Sequence, residues 1–223
     1  MNAKRIVRAA APAFGLIIIA GLLLFDRDVS AQRSRLLQAK RQIYTVDPES
    51  SRITAQLTQE GFLARLRPHN EVAVKSFNGK IQVSPNDESD IAVVLESEVR
   101  SMTNIDKGMS DLERQEFHNI LHNVVLESEK FPTIKFASIS ITDLKRTDDG
   151  RSFTLNGDLT IREVTRRLAV PVNVTIRDQE LHATGEGSFK QSEFGIKPYA
   201  GGLGAIKIAD EVKVNFVIVA KIS

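Results

Sequence analysis

The sequence predicts an all-β domain, an antiparallel barrel or sandwich, that carries one inserted amphipathic helix and follows an apolar export segment. Three observations predict it. Short runs of alternating apolar and polar residues recur along most of the chain, separated by Gly, Asn and Asp turns, as strands with one buried face require. A single stretch near residues 110–128 repeats its apolar residues at helical spacing instead. Residues 9–25 form an uncharged apolar run behind a basic start.

The first element is that run. Lys4, Arg5 and Arg8 precede AAAPAFGLIIIAGLLLF (Ala9–Phe25), and Val29–Ala31 offers the small residues a signal peptidase needs for cleavage before Gln32. Two outcomes stay open: a cleaved signal peptide over residues 1–31, or an uncleaved membrane anchor held through residues 9–25. Either places the remainder in the periplasm or another extracytoplasmic compartment, because the positive flank stays inside. The whole chain has 30 basic and 28 acidic residues. Residues 1–31 hold four of the former and two of the latter, which leaves 26 of each. A neutral mature chain gives no support to nucleic-acid binding. Residues 32–43 read as a basic linker, and the domain proper as residues 44–223.

Strand patterns follow from Tyr44. Ile53, Ala55 and Leu57 share one face, then Val72 and Val74, and KIQVS stops at the turn residues Pro85-Asn86-Asp87. Ile91, Val93, Leu95 and Val99 alternate, as do TIKFASISI (133–141), LHATGEGSFK (181–190) and Val212, Val214, Phe216 and Ile218. Between residues 153 and 176 the parity changes. Phe153, Leu155, Leu159 and Ile161 are odd, whereas Leu168, Val170, Val172, Val174 and Ile176 are even. Each half reads as a strand, with the polar stretch Arg162–Arg167 as the turn that resets the register. The helix begins at a capping box, Ser110 with Glu113, carries Phe117, Ile120, Leu121 and Val124 on one stripe over about four turns, and ends before Pro132. It suits a plug or lid on an open barrel end.

Little in the chain carries chemistry. There is no cysteine, which excludes disulfides, thiolate metal sites and cysteine nucleophiles. His118 and His122 stand four apart on one side of the helix, but Asn119 replaces the Glu of a zinc helix, so a solvated or hydrogen-bonded pair is expected. His69 and His182 have no metal-ligand spacing. GGLGAI (Gly201–Ile206) lacks the strand–loop–helix context of a phosphate loop and reads as a hairpin connection. Asp148-Asp149 sits beside Gly150 in a turn, and no G-x-S-x-G elbow exists. No catalytic residue, metal site or cofactor is therefore expected. What remains is aliphatic strand surface, suited either to a filled core or to a smooth-walled hollow for a hydrocarbon chain.

YTVDPESSRI (44–53), FNGKI (77–81), KFPTIKFAS (130–138), GDLTIREVTRRLAVPV (157–172), FKQSEFGI (189–196) and DEVKVNF (210–216) resemble, in order, the motif series of the YceI-like family. The resemblance implies an exported, lipocalin-like antiparallel barrel of about eight strands whose interior holds a polyisoprenoid or other long amphipathic lipid. By alternation, Phe136, Leu155, Leu159, Val172, Val174, Phe189 and Phe216 would line it. The family's R-D-x-H-L helix pattern is replaced by SDLERQEFHNIL, and RLRPHNE (65–71) matches a His-rich turn only through His69. The leading expectation is a lipid carrier or store of the cell envelope, not an enzyme. The alternative is a solid-core structural or stress-response module acting through protein contacts. A homodimer is an open expectation.

Overall fold

A computed structural model describes residues 41–60, 69–201 and 206–223. The expected export segment, most of the basic linker, Arg65–Pro68 and the centre of the Gly201–Ile206 connection lie outside them. The strands are β1 (Gln42–Val46), β2 (Arg52–Glu60), β3 (His69–Val74), β4 (Phe77–Val83), β5 (Ile91–Glu98), β6 (Met102–Asn104), β7 (Thr133–Arg146), β8 (Arg151–Ile161), β9 (Val164–Arg177), β10 (Glu180–Lys190), β11 (Ala200–Gly201) and β12 (Ile206–Ile222). They pair in the order β1-β4-β5-β7-β8-β9-β10-β12, and β12 returns to β1 through Tyr44↔Ile222 and Val46↔Ala220. The result is a closed, antiparallel, eight-stranded barrel, which leaves those strands no free edge. Gln42 and Ile43, read as linker, are the first residues of its first strand.

Long β12 serves two partners in succession. Its end pairs with β1, and residues 207–217 pair with β2, whose neighbours β3 and then β6 extend the sheet. Where β1 gives way to β2, the Ser51 hydroxyl accepts from the Val219 N–H (2.9 Å) and donates to its carbonyl (3.2 Å), replacing the missing ladder bonds. At that far end β6 pairs only with β3, so the opening between β6 and β7 needs another cover.

The helical segment supplies it. α1 (Asp111–Asn119) starts at the expected capping box, with Ser110 Oγ accepting from Glu113 N and Glu113 Oε2 accepting from Ser110 N at 2.8 Å. From Ile120 to Val125 the helix widens to i→i+5 bonding, as in Leu126 N–H to Leu121 O at 2.9 Å. That change corrects the apolar stripe. A wider turn carries Val124 outward, leaving it 61% exposed, and brings Leu121, His122 and Leu126 inside. Side chains stitch the segment to the bare edge of β6: Arg114 Nη1 donates to Asn104 O (2.9 Å), and the His122 ring bonds Met102 O (3.0 Å). From the opposite side, Arg162 donates to Val125 O (3.1 Å) at the helical C-terminus and pairs with Glu127.

The turn of β8–β9 is shorter than the sequence suggested. Only Arg162 and Glu163 lie in it, at φ 50° and 63°, and Val164–Arg167 already belong to β9. With two turn residues, Ile161 faces Val164 and Phe153 faces Val172, so odd residues of β8 share a face with even residues of β9. The parity change is thus the arithmetic of a two-residue hairpin. Asp178-Gln179, also at positive φ, repeats it between β9 and β10, pairing Val174 with Ala183.

Candidate functional site

The even face of β9 and the odd faces of β8 and β10 all point into the barrel, yet they do not fill it. A cavity of about 410 Å³ runs along the axis. All seven residues assigned to the lining from alternation stand on its wall: Phe136, Leu155, Leu159, Val172, Val174, Phe189 and Phe216. Leu155 and Val172 are fully buried, whereas Phe136, Leu159, Val174, Phe189 and Phe216 keep part of their surface accessible although they point inward. In a solid barrel, inward side chains would touch one another across the axis and lose that surface. The wall is therefore the wall of a hollow.

Two glycines explain how aromatic rings fit without blocking it. A Cβ on Gly157 would lie 2.3 Å from Phe136 Cζ, and one on Gly185 would lie 2.5 Å from Phe216 Cζ. The tip of each ring thus takes the place that a side chain on the neighbouring strand would otherwise fill. The sequence reading had the two phenylalanines but no signal for the rings' direction, since that depends on cross-strand neighbours.

The two ends differ in chemistry. At the β4–β5 end the polar groups are Gln42, Ser84, Glu88 and Arg151. Glu88 Oε1 accepts from Arg151 at 2.7 Å and from Arg146 at 2.9 Å, and these two guanidinium groups lower its pKa to about 2. The mouth is thus a charged rim whose acid is paired with both bases, while the buried Arg151 Nε has no hydrogen-bond partner. At the other end a second cavity of about 240 Å³ lies beneath the helical segment, against Phe117, Leu121 and Val125. Ala55, Met102, Ile134, Ile161 and Phe189 belong to both walls, which makes the two hollows neighbours along one axis.

Asn70, which the sequence reading passed over, stands on this second wall. Its signal was present: in HNEVAV it shares even parity with Val72 and Val74.

The histidines fall where hydrogen bonding puts them. His122 engages both ring nitrogens, with Ser128 Oγ at 2.7 Å and Met102 O at 3.0 Å; the exposed His118 ring stands 4.2 Å from it. Burial, the largest cause, lowers the pKa of His122. The serine–histidine contact is not a nucleophile pair: both residues are buried, neither lines a cavity, and the second nitrogen is bound to a carbonyl instead of a substrate. His182 pairs with Glu180 at 2.5 Å on the surface, and Asp149 with Arg177 at 2.8 Å. Among the described residues no three His, Cys, Asp or Glu side chains are grouped to hold a metal. Gly201 pairs with Ile206 across the connection read as a hairpin.

Comparison with known proteins adds three findings. The family model of the YceI-like domain matches residues 44–220. The solved structure of BcnA from Burkholderia cenocepacia superposes with a TM-score of 0.60 at 21% identity, covering 78% of this chain and 98% of that one. A Campylobacter jejuni YCEI protein gives a TM-score of 0.48 at 16% identity, covering 67% and 83% respectively. Among curated protein sequences none matches this chain.

Proposed function

The chain belongs to the YceI-like domain family, and from that premise we propose that it is a lipid-binding protein of the cell envelope. It holds a polyisoprenoid or other long-chain amphipathic lipid in the barrel, for carriage or storage. The observation that carries the reading is the hollow itself: a closed barrel whose inward Phe136, Leu159, Val174 and Phe216 retain free surface around a cavity of about 410 Å³. That volume is in the usual range of ligand pockets, and its wall is aliphatic and aromatic with polar groups only at the ends. From Leu181 to Phe189 the wall follows one strand for roughly 26 Å, a shape for a chain and not for a compact metabolite. This favours a lipid over the solid-core alternative, and among the described residues of the wall no nucleophile stands with a base, which favours binding over catalysis.

Export belongs to the same reading and is supported by the basic start and apolar run of residues 4–25. Among the described residues no helix is long and apolar enough to cross a membrane.

Native mass spectrometry of protein purified without detergent tests the proposal. A discrete adduct that passes into organic solvent on extraction is expected, and the emptied protein should take up a long-chain isoprenoid stoichiometrically. An adduct-free protein that also fails to bind the isoprenoid would overturn the reading.

A further inference from the structure

Along β8 the inward row reads Arg151, Phe153, Leu155, and along β1 it reads Gln42, Tyr44, Val46. Both rows turn polar at the β4–β5 mouth, where Arg151 and Gln42 stand on the wall of the larger cavity. Register holds Arg151 there, between Val174 of β9 and Arg146 of β7. Glu88 accepts from both arginines through one oxygen, Oε1. Two cations thus share one carboxylate, and one positive charge is in excess. The bond to Arg151 is also single-pronged. It uses Nη2 alone; Nε is buried without a partner, and Nη1 has neither a partner nor full burial among the described residues. The side chain keeps 37% of its surface exposed, so a ligand can reach it. A guanidinium fork matches two oxygens at once, and here the protein meets it with one.

We propose that the β4–β5 mouth holds the head group of the bound lipid, and that Arg151, with Arg146 beside it, selects an anionic oxygen head group, a phosphate or a carboxylate. The inference rests on the lipid-binding reading and adds which end of the lipid lies where and what charge it carries. Glu88 is then an internal counter-ion, which holds both arginines while the site is empty and competes with the ligand for Arg151. The neighbouring acids do not compete in the same way. Asp90 is matched by Arg41 at 2.5 Å, Asp149 by Arg177 at 2.8 Å, and Asp87 by the Ser89 N–H and hydroxyl. Glu96, the other acid on this wall, pairs with Lys135 at 3.5 Å. The hydrocarbon tail runs from the rim past Phe153 and Val172 to the shared wall at Met102, Ile134 and Phe189, towards the smaller cavity. The reverse orientation would put an anion beneath the helical segment, where the described wall carries no Lys, Arg or His.

Three probes with one isoprenoid chain separate the possibilities: geranylgeraniol, geranylgeranyl phosphate and geranylgeranoic acid. At low ionic strength the wild type should bind both anions about tenfold or more tighter than the alcohol, the size of one hydrogen bond to a charged group. A preference for one anion alone also supports the site and says whether phosphate or carboxylate is the natural head group. Arg151→Gln should cancel the preference and leave the alcohol unchanged, and alcohol binding reports that the variant is folded. Glu88→Gln removes the competing carboxylate and should strengthen the anions by about threefold, with no change for the alcohol. A rim pair that merely ties the β4–β5 turn to β8 would give no such gain. If the wild type prefers neither anion, or Arg151→Gln binds the alcohol normally and keeps the preference, the head-group assignment is wrong while lipid binding stands. Should Arg151→Gln fail to fold, an unchanged anion-to-alcohol ratio in Glu88→Gln overturns the assignment. Failure of the wild type to bind any of the three overturns the lipid reading and the assignment together.

Discussion

His122 is 6% exposed, wedged between the helical segment and β6. A carbonyl can only accept, so Nε2 carries the proton donated to Met102 O; in the neutral ring Nδ1 then takes the single hydrogen of the Ser128 hydroxyl at 2.7 Å in preference to His122 O at 3.2 Å. This neutral ring ties the lid to the strand edge. Burial, then the neighbouring His118 and Arg100, place its folded pKa below the ordinary histidine value. The unfolded chain therefore binds more protons than the folded one once the pH drops below about 6.5. His122 contributes stability that is fully present above that pH and is lost as the pH falls towards the lower folded value. Chemical denaturation at pH 7.5 and 5.5 should show the wild type weaker at 5.5, and His122→Gln should reduce the difference. An equal pH difference in the variant would contradict this role. The sequence placed His118 and His122 on one side of a helix, flanking the stripe. It gave no sign that wider winding after Asn119 turns the second ring inward, because winding of that kind is set by the packing of Leu121 and Leu126, not by local propensity.

At the scale of elements, what was legible follows from local chemistry. The capping box at Ser110 fixed the start of α1, and alternation located the central residues of the long strands. The hairpin Arg162-Glu163 was misread as a longer turn because its residues are not the Asn-Gly that positive φ favours, and because the exposed, polar Thr165, Arg166 and Arg167 look like loop although they belong to β9. Three-residue β6 left no pattern at all; it exists because β3 offers it an edge and α1 covers its other side. The cap has a measurable weight. Ser110→Ala removes the acceptor from Glu113 N and should cost about 1 kcal/mol, a fall of about 2–4 °C in Tm for a domain of this size. Since Ser110 lines neither cavity, lipid affinity in the folded variant should stay that of the wild type. Differential scanning calorimetry and one lipid titration check both halves, and an unchanged Tm would show that the helix start is held by Arg114 instead.

For the whole molecule, the question that alternation left open was whether the barrel is filled. Period-two patterning specifies which residues share a face, but whether inward side chains meet depends on strand number and on where the rings lie. Closure by β12 on β1 and the bare backbone at Gly157 and Gly185 decide it, and both are long-range facts. The hollow makes a prediction that a solid core would reverse. Val172 is 4% exposed, lies mid-strand on β9 between Phe153 and Gly185, and stands on the cavity wall. In a packed core Val172→Trp would overpack and cost typically about 1–3 kcal/mol. Here the added ring has the lumen to enter, so the lipid-free protein should lose less than about 1 kcal/mol. The same ring then occupies space the lipid needs, and isoprenoid affinity should fall by about tenfold or more, about 1.4 kcal/mol. Asn173→Trp, on the exposed face one residue along, should change neither quantity. Apo stability and lipid titration on the same three proteins give the answer. A Val172→Trp protein that melts many degrees lower when empty, alongside a wild type that carries no lipid, would mean that the inner face is a core.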